Sequence, residues 1–159
     1  MEYTSARELA GLLRSGALSC TELMSATLAR IDAVNPGLNA ICTRVDDETA
    51  MTMAQAMDEK LRSGQATGPL AGLPIAVKDL SATAGIRTTM GSRIFADHVP
   101  QEDSLMVQRL KAAGALVIGK TNTPEFGTGS HTCLLYTSPS PRDIHHNLGF
   151  RLLLGKRGG

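Results

Sequence analysis

Leu9, Leu12 and Leu13 fall at helical spacing behind Ser5 and Glu8, a Ser-x-x-Glu pattern that caps helix N-termini, and Gly16 supplies a stop. A short first helix is expected. Thr21 precedes a second apolar series, Leu23, Met24, Leu28 and Ile31, so it is expected to cap an amphipathic helix that ends at the Asn35, Pro36, Gly37 turn. Residues 39–44, NAICTR, are β-prone, and from Asp46 to about Arg62 helix formers return until SGQATGP breaks the run. Ile75, Ala76 and Val77 make a short apolar strand that ends at Lys78 and Asp79. Asp103 or Ser104 can cap a helix carrying Leu105, Val107, Leu110 and Ala113 up to Gly114, and ALVIGK at 115–120 is another apolar strand. Strand, helix, strand implies a βαβ crossover, hence an α/β fold with a parallel or mixed sheet.

The periodicity stops near residue 132. Residues 133–159, CLLYTSPSPRDIHHNLGFRLLLGKRGG, show neither helical nor strand spacing and hold Arg142, Arg151, Lys156 and Arg157 against Asp143 alone. Removing that basic segment leaves a mildly acidic body, which argues against a nucleic-acid footprint. CLLYTSPSPRD at 133–143 resembles a reading-frame translation of a transposase sequencing adapter. RLLLG further on is similar to the next adapter segment, with Gly149 and Phe150 departing from it. The segment is therefore expected to be a non-native, disordered tail that packs against nothing, and 1–132 to be the folding unit.

The chain of 159 residues has no apolar run of the roughly 20 residues that a membrane span needs, and no basic-then-apolar leader, so a cytoplasmic protein without membrane contact is expected. Cys20, Cys42 and Cys133 are odd in number and lack metal-ligand spacing, which leaves no disulfide framework and no metal site to expect. No cofactor is implied.

Ligand sites in open α/β sheets gather at strand C-termini, which singles out Lys78 with Asp79, and Lys120 with Thr121 and Asn122. A lysine works as a base near neutral pH only where burial or cationic neighbours depress its pKa. From composition alone, a solvated lysine or a Lys78–Asp79 ion pair is the plainer expectation. TMGS at 89–92 and GTGS at 127–130 match no phosphate-loop pattern and read as turns around a small-ligand site.

GPLAGLPIAVKDLSATAGIRTTMGS followed by DSLMVQRLKAAGALVIGKTNTPEFGTGSHT resembles the amidase signature family, and SARELAGLLRSGALSCTEL resembles that family's opening helices. The resemblance covers nearly all of residues 1–132. It implies the N-terminal part of an α/β fold with helices around a mixed sheet, and an enzyme that hydrolyses carboxylic amides through a Ser, cis-Ser, Lys triad. By the same resemblance Lys78 is the general base, drawing a proton through the intermediate serine from the nucleophile. Phe126, Gly127 and Thr128 would line the acyl or oxyanion side of the pocket. The small-molecule partner would be an amide, and the parent protein a homodimer or one component of an amidotransferase.

One departure matters for activity. The family's serines lie several tens of residues past the lysine, the nucleophile in a Gly-Gly-Ser-Ser-Gly-Gly-like loop that does not occur in this sequence. Ser138 and Ser140 are each followed by proline, which has no N–H to donate to an oxyanion. The chain is expected to be a truncated, inert fragment. The main alternative is the A subunit of a tRNA-dependent glutamyl/aspartyl amidotransferase. A further alternative is a non-catalytic binding module that presents the 85–92 and 122–131 loops. Nucleic-acid binding would rest wholly on the tail.

Overall fold

The computed structural model describes residues 4–65 and 67–129, so the 133–159 tail and Cys133 lie outside the described residues. Helix α1, Ala6–Ser15, starts at the expected cap: Ser5 Oγ accepts Glu8 N–H at 3.2 Å and Glu8 Oε2 accepts Ser5 N–H at 2.8 Å. Gly16 closes it in the left-handed region at φ 72°.

Helix α2, Cys20–Leu38, differs from expectation at both ends. Its cap is Ser19 rather than Thr21, because Ser19 and Glu22 repeat the reciprocal pattern of Ser5 and Glu8. Thr21 sits in the first turn instead, where its N–H and hydroxyl both donate to Asp58 Oδ2. At the other end Pro36 lies inside the helix, and the reversal comes at Asn39, φ 47°, whose N–H reaches Asn35 O at 2.7 Å. Proline there removes one helical donor and crowds the turn before it, a cost confined to the last turn of α2. The Asn35 amide then bonds both the N–H and the carbonyl of Ile41, leading the chain into β1, Ile41–Arg44.

Helix α3, Asp47–Arg62, is capped by Asp46, and near its far end Asp58 receives Cys20 N–H at 2.6 Å and Thr21 N–H at 3.1 Å. One carboxylate thus satisfies first-turn donors of the neighbouring helix. Burial raises the Asp58 pKa, but these hydrogen bonds outweigh it and hold the group below the usual carboxylate range. Burial, reinforced by Asp58, pushes the Cys20 thiol up to about 12. A depressed folded-state pKa contributes stability that is present above the unfolded value and lost as pH falls through the folded one. Asp58→Asn is therefore expected to destabilise the chain by about 2 kcal/mol at neutral pH. It should also flatten the fall in urea midpoint below about pH 4, the unfolded carboxylate value.

The second half follows the predicted order: β2, Pro74–Lys78; α4, Leu105–Ala112, behind Ser104; and β3, Leu116–Thr121. The sheet runs β1-β3-β2, with β2 parallel and β1 antiparallel to the central β3. It is a mixed α/β sheet, as expected, and β2-α4-β3 is the crossover. Leu116 and Ile118 join Leu13, Leu23, Met24 and Leu28 in one core with α1–α3, whereas Val117 and Val77 pack with Val107 of α4 in a second. The alternation along β3 thereby seats helices on both faces. Gly119 brings β3 so near to β1 that a Cβ there would stand 2.4 Å from Thr43 O. Among the described residues, no helix is long and apolar enough to cross a membrane.

Candidate active site

Two strands end side by side, since Lys78 of β2 is in register with Thr121 of β3 and Val77 with Lys120. Beyond them the chain turns sharply: Ser81 N–H donates to Lys78 O at 3.0 Å, and Asp79 N–H donates to Thr121 O at 3.0 Å. Lys78 therefore projects from the last residue of a strand whose exit is tied to its neighbour.

The two lysines singled out in the sequence have opposite surroundings. Lys78 is exposed and its ammonium has no partner among the described residues, whereas Lys120 is fully buried. Of the two plainer expectations, the solvated lysine is what Lys78 shows, and the Lys78–Asp79 ion pair is not met. Asp79 is itself fully buried, and its carboxylate accepts the N–H and hydroxyl of Thr89. The burial that a lysine base requires is not met at Lys78 within these residues either. β2 is an edge strand in this sheet, so no neighbouring strand shields the lysine on its outer side. Lys120 Nζ donates to Ser81 O and, at 2.8 Å, to Thr83 Oγ1. Burial lowers its pKa from the usual lysine value, against the opposing fields of Asp79, Cys42 and Asp103.

Over this corner lie two glycine-bearing turns, 89–92 and 126–129, which take in the described parts of the segments read as ligand-site turns. Each contains a pair of consecutive left-handed residues: Met90 and Gly91 at φ 55° and 68°, Phe126 and Gly127 at φ 51° and 71°. Left-handed Met and Phe are uncommon and cost energy that the surroundings must over-determine. They do so by locking together: Met90 N–H donates to Asp79 O at 2.9 Å and Phe126 N–H to Met90 O at 2.8 Å. Ser92 Oγ meets Glu125 Oε1 at 2.7 Å, and a Cβ on Gly91 would come within 2.8 Å of Thr123 O. Gly127 packs so tightly on Leu80 that a Cβ would lie 2.6 Å from its Cδ1.

Gly127 is thus brought against the Leu80 side chain, and Phe126 is tied through Met90 to Asp79. Phe126 is 47% exposed, with its ring edge-on to Phe95 at a centroid distance of 6.3 Å, so an aromatic face stands open at the corner. Thr128 is exposed, and its hydroxyl donates to Glu125 O at 2.8 Å. A separate concavity of about 610 Å³, lined by Arg44, Met53, Ile86 and Val117 among others, includes none of Lys78, Phe126, Gly127 and Thr128. Sequence reasoning missed the Asp79–Thr89 lock and the burial of Lys120. The signal for the second was a lysine ending a run as apolar as ALVIG.

The fold and this corner place the chain among α/β proteins with a polar site at adjoining strand ends. A sequence model of the Amidase family matches residues 22–149, beyond the boundary read near 132, and the chain belongs to that family, the amidase signature enzymes. It is 45% identical over 130 residues to the A subunit of the glutamyl-tRNA(Gln) amidotransferase of Carboxydothermus hydrogenoformans, covering 82% of this chain and 27% of that protein. The corresponding protein of Lachnospira eligens is 39% identical over 161 residues, spanning 100% of this chain and 32% of its own length. The crystal structure of a bacterial aryl acylamidase of the amidase signature family superposes with a TM-score of 0.76 at 30% identity, over 82% of this chain and 27% of that one. The chain spans roughly a quarter to a third of the length of these relatives.

Proposed function

We propose that this chain is the N-terminal part of an amidase that hydrolyses carboxylic amides to acid and ammonia or amine, with Lys78 as its general base. The observation that carries the reading is the corner at the ends of β2 and β3. There, the strained turn at Met90 is bonded to Asp79 O beside Lys78 and the strained turn at Phe126 is bonded to the first, and we assign Phe126, Gly127 and Thr128 to the acyl side of the pocket. Lys78 must be neutral to accept a proton from the bridging serine, which in turn receives one from the nucleophile. Exposed as it is, it needs further chain to dry it. Both serines are proposed to belong to a part of the enzyme outside this sequence, and the chain by itself to be inert. A cytosolic location fits this reading.

A second reading has an observation in its favour. The relative at 45% identity is the A subunit of an amidotransferase, against 30% for the aryl acylamidase. In that reading the amide is glutamine, the released ammonia passes to an aminoacyl-tRNA, and further subunits are the partners.

Assayed alone on small aliphatic amides, aryl amides and glutamine, the chain is expected to show no turnover above that of Lys78→Ala. Turnover that disappears in Lys78→Ala overturns the claim of inertness. Grafting residues 22–129 into the Carboxydothermus relative, in place of its matching segment, tests the enzymatic reading. Release of ammonia from glutamine with the partner subunits present supports the amidotransferase reading. Hydrolysis of simple amides without them supports the amidase.

A further inference from the structure

The turn that follows β2 is held at both ends. Its first carbonyl, Lys78 O, accepts the Ser81 N–H, and its last, Ser81 O, accepts from Lys120 Nζ. The same ammonium donates to Thr83 Oγ1 at 2.8 Å, and the Thr83 hydroxyl donates to Ser81 O at 3.1 Å, closing a three-membered ring of polar contacts. Thr83, like Lys120, is fully buried. The ammonium bonds to two neutral oxygens and forms no ion pair among the described residues, with Asp79 and Asp103 acting on it only through their fields.

A buried cation is costly, and an apolar side chain of the same length would fill this volume at less expense. What the cation adds is the grip on Ser81 O and Thr83 Oγ1. We propose that Lys120 is a positioning residue for Lys78: by holding these two oxygens it fixes the Lys78–Ser81 turn against β3, and with it the direction in which Lys78 leaves the sheet. The inference rests on the reading of Lys78 as the base, and assigns the second lysine of the corner a part in the same site.

The test uses the whole chain, labelled with 13C at lysine Cε and followed by NMR together with amide hydrogen exchange. In Lys120→Met the Ser81 amide is expected to exchange about tenfold faster or more, the loss of roughly one charge-assisted hydrogen bond, while α2 and α3 keep their protection. The Lys78 Cε signal should shift measurably from its position in the parent chain. Lys120→Arg should recover part of both effects, which a loss of packing alone would not predict. Ser81 exchange in Lys120→Met within about twofold of the parent chain overturns the proposal. Where that variant does not fold, Thr83→Val decides, since it keeps the cation and removes one of its two partners: an unchanged Ser81 rate overturns the proposal there as well. Graft turnover is independent of these readouts. An inactive graft overturns the base reading and leaves the exchange result standing, whereas a Ser81 exchange rate unchanged in Lys120→Met removes only the role given to Lys120.

Discussion

Lys78→Ala in the grafted full-length enzyme is expected to lower kcat by about 10² to 10⁴-fold, with KM little changed. The substitution removes a group that moves a proton in the transition state and leaves the residues that hold the substrate in place. The side chain is exposed and has no partner among the described residues, so its loss should leave stability within about 0.5 kcal/mol of the parent. A kcat that falls while the unfolding midpoint stays put separates a chemical role from a structural one. Lys78→Arg should fare no better, because a guanidinium does not give up its proton in this pH range. Near-normal kcat in the alanine variant would remove Lys78 from the mechanism.

Gly119→Ala is expected to cost about 3 kcal/mol, read as a lower urea midpoint of the chain itself. The added methyl would stand 2.4 Å from Thr43 O and 3.2 Å from Arg44 Cα, both backbone atoms that side-chain rotation cannot move aside. Relief requires β1 to withdraw from β3. The same substitution at Gly11, inside α1 with nothing within 4 Å, should instead stabilise by about 0.5 to 1 kcal/mol through helix propensity. Equal effects at the two sites would mean that the close strand approach is not holding the sheet together.

Much of this architecture is legible in the chain because it is local. The Ser5–Glu8 box, the spacing of Leu23, Met24, Leu28 and Ile31, and the Val-rich strands each announce themselves within a few residues. The cap of α2 was legible as well, in the Ser19–Glu22 box, and Thr21 was mistaken for it; what the local sequence does not hold is the partner of Thr21, a carboxylate 37 residues away on α3. No reading of α2 alone contains Asp58. Pro36 misled for a related reason: a proline in a last turn and a proline after it look alike until the backbone is placed.

At the site, the strand ends and glycine turns were visible, and the structure packs those turns together. The apolar run ALVIG ahead of Lys120 was a signal for its burial, but the strand pattern did not say against what it would be buried. Between Ile75/Ala76 and Val117/Gly119 the parallel register slips by one, so Lys120 comes opposite Val77, and simple alternation cannot forecast this.

The strand order carries a consequence for how such a chain is made. Among the described residues β1 and β2 do not pair with each other; each finds its backbone partner in β3, the last of the three to leave the ribosome. During synthesis the helices α1–α3 can gather early, but Ile41–Arg44 must wait more than seventy residues for Leu116–Thr121. Until then two ribbons of peptide groups stand open to any other extended polypeptide. Biogenesis of this region should therefore slow at the third strand, and a holdase chaperone should bind the nascent chain until that strand emerges.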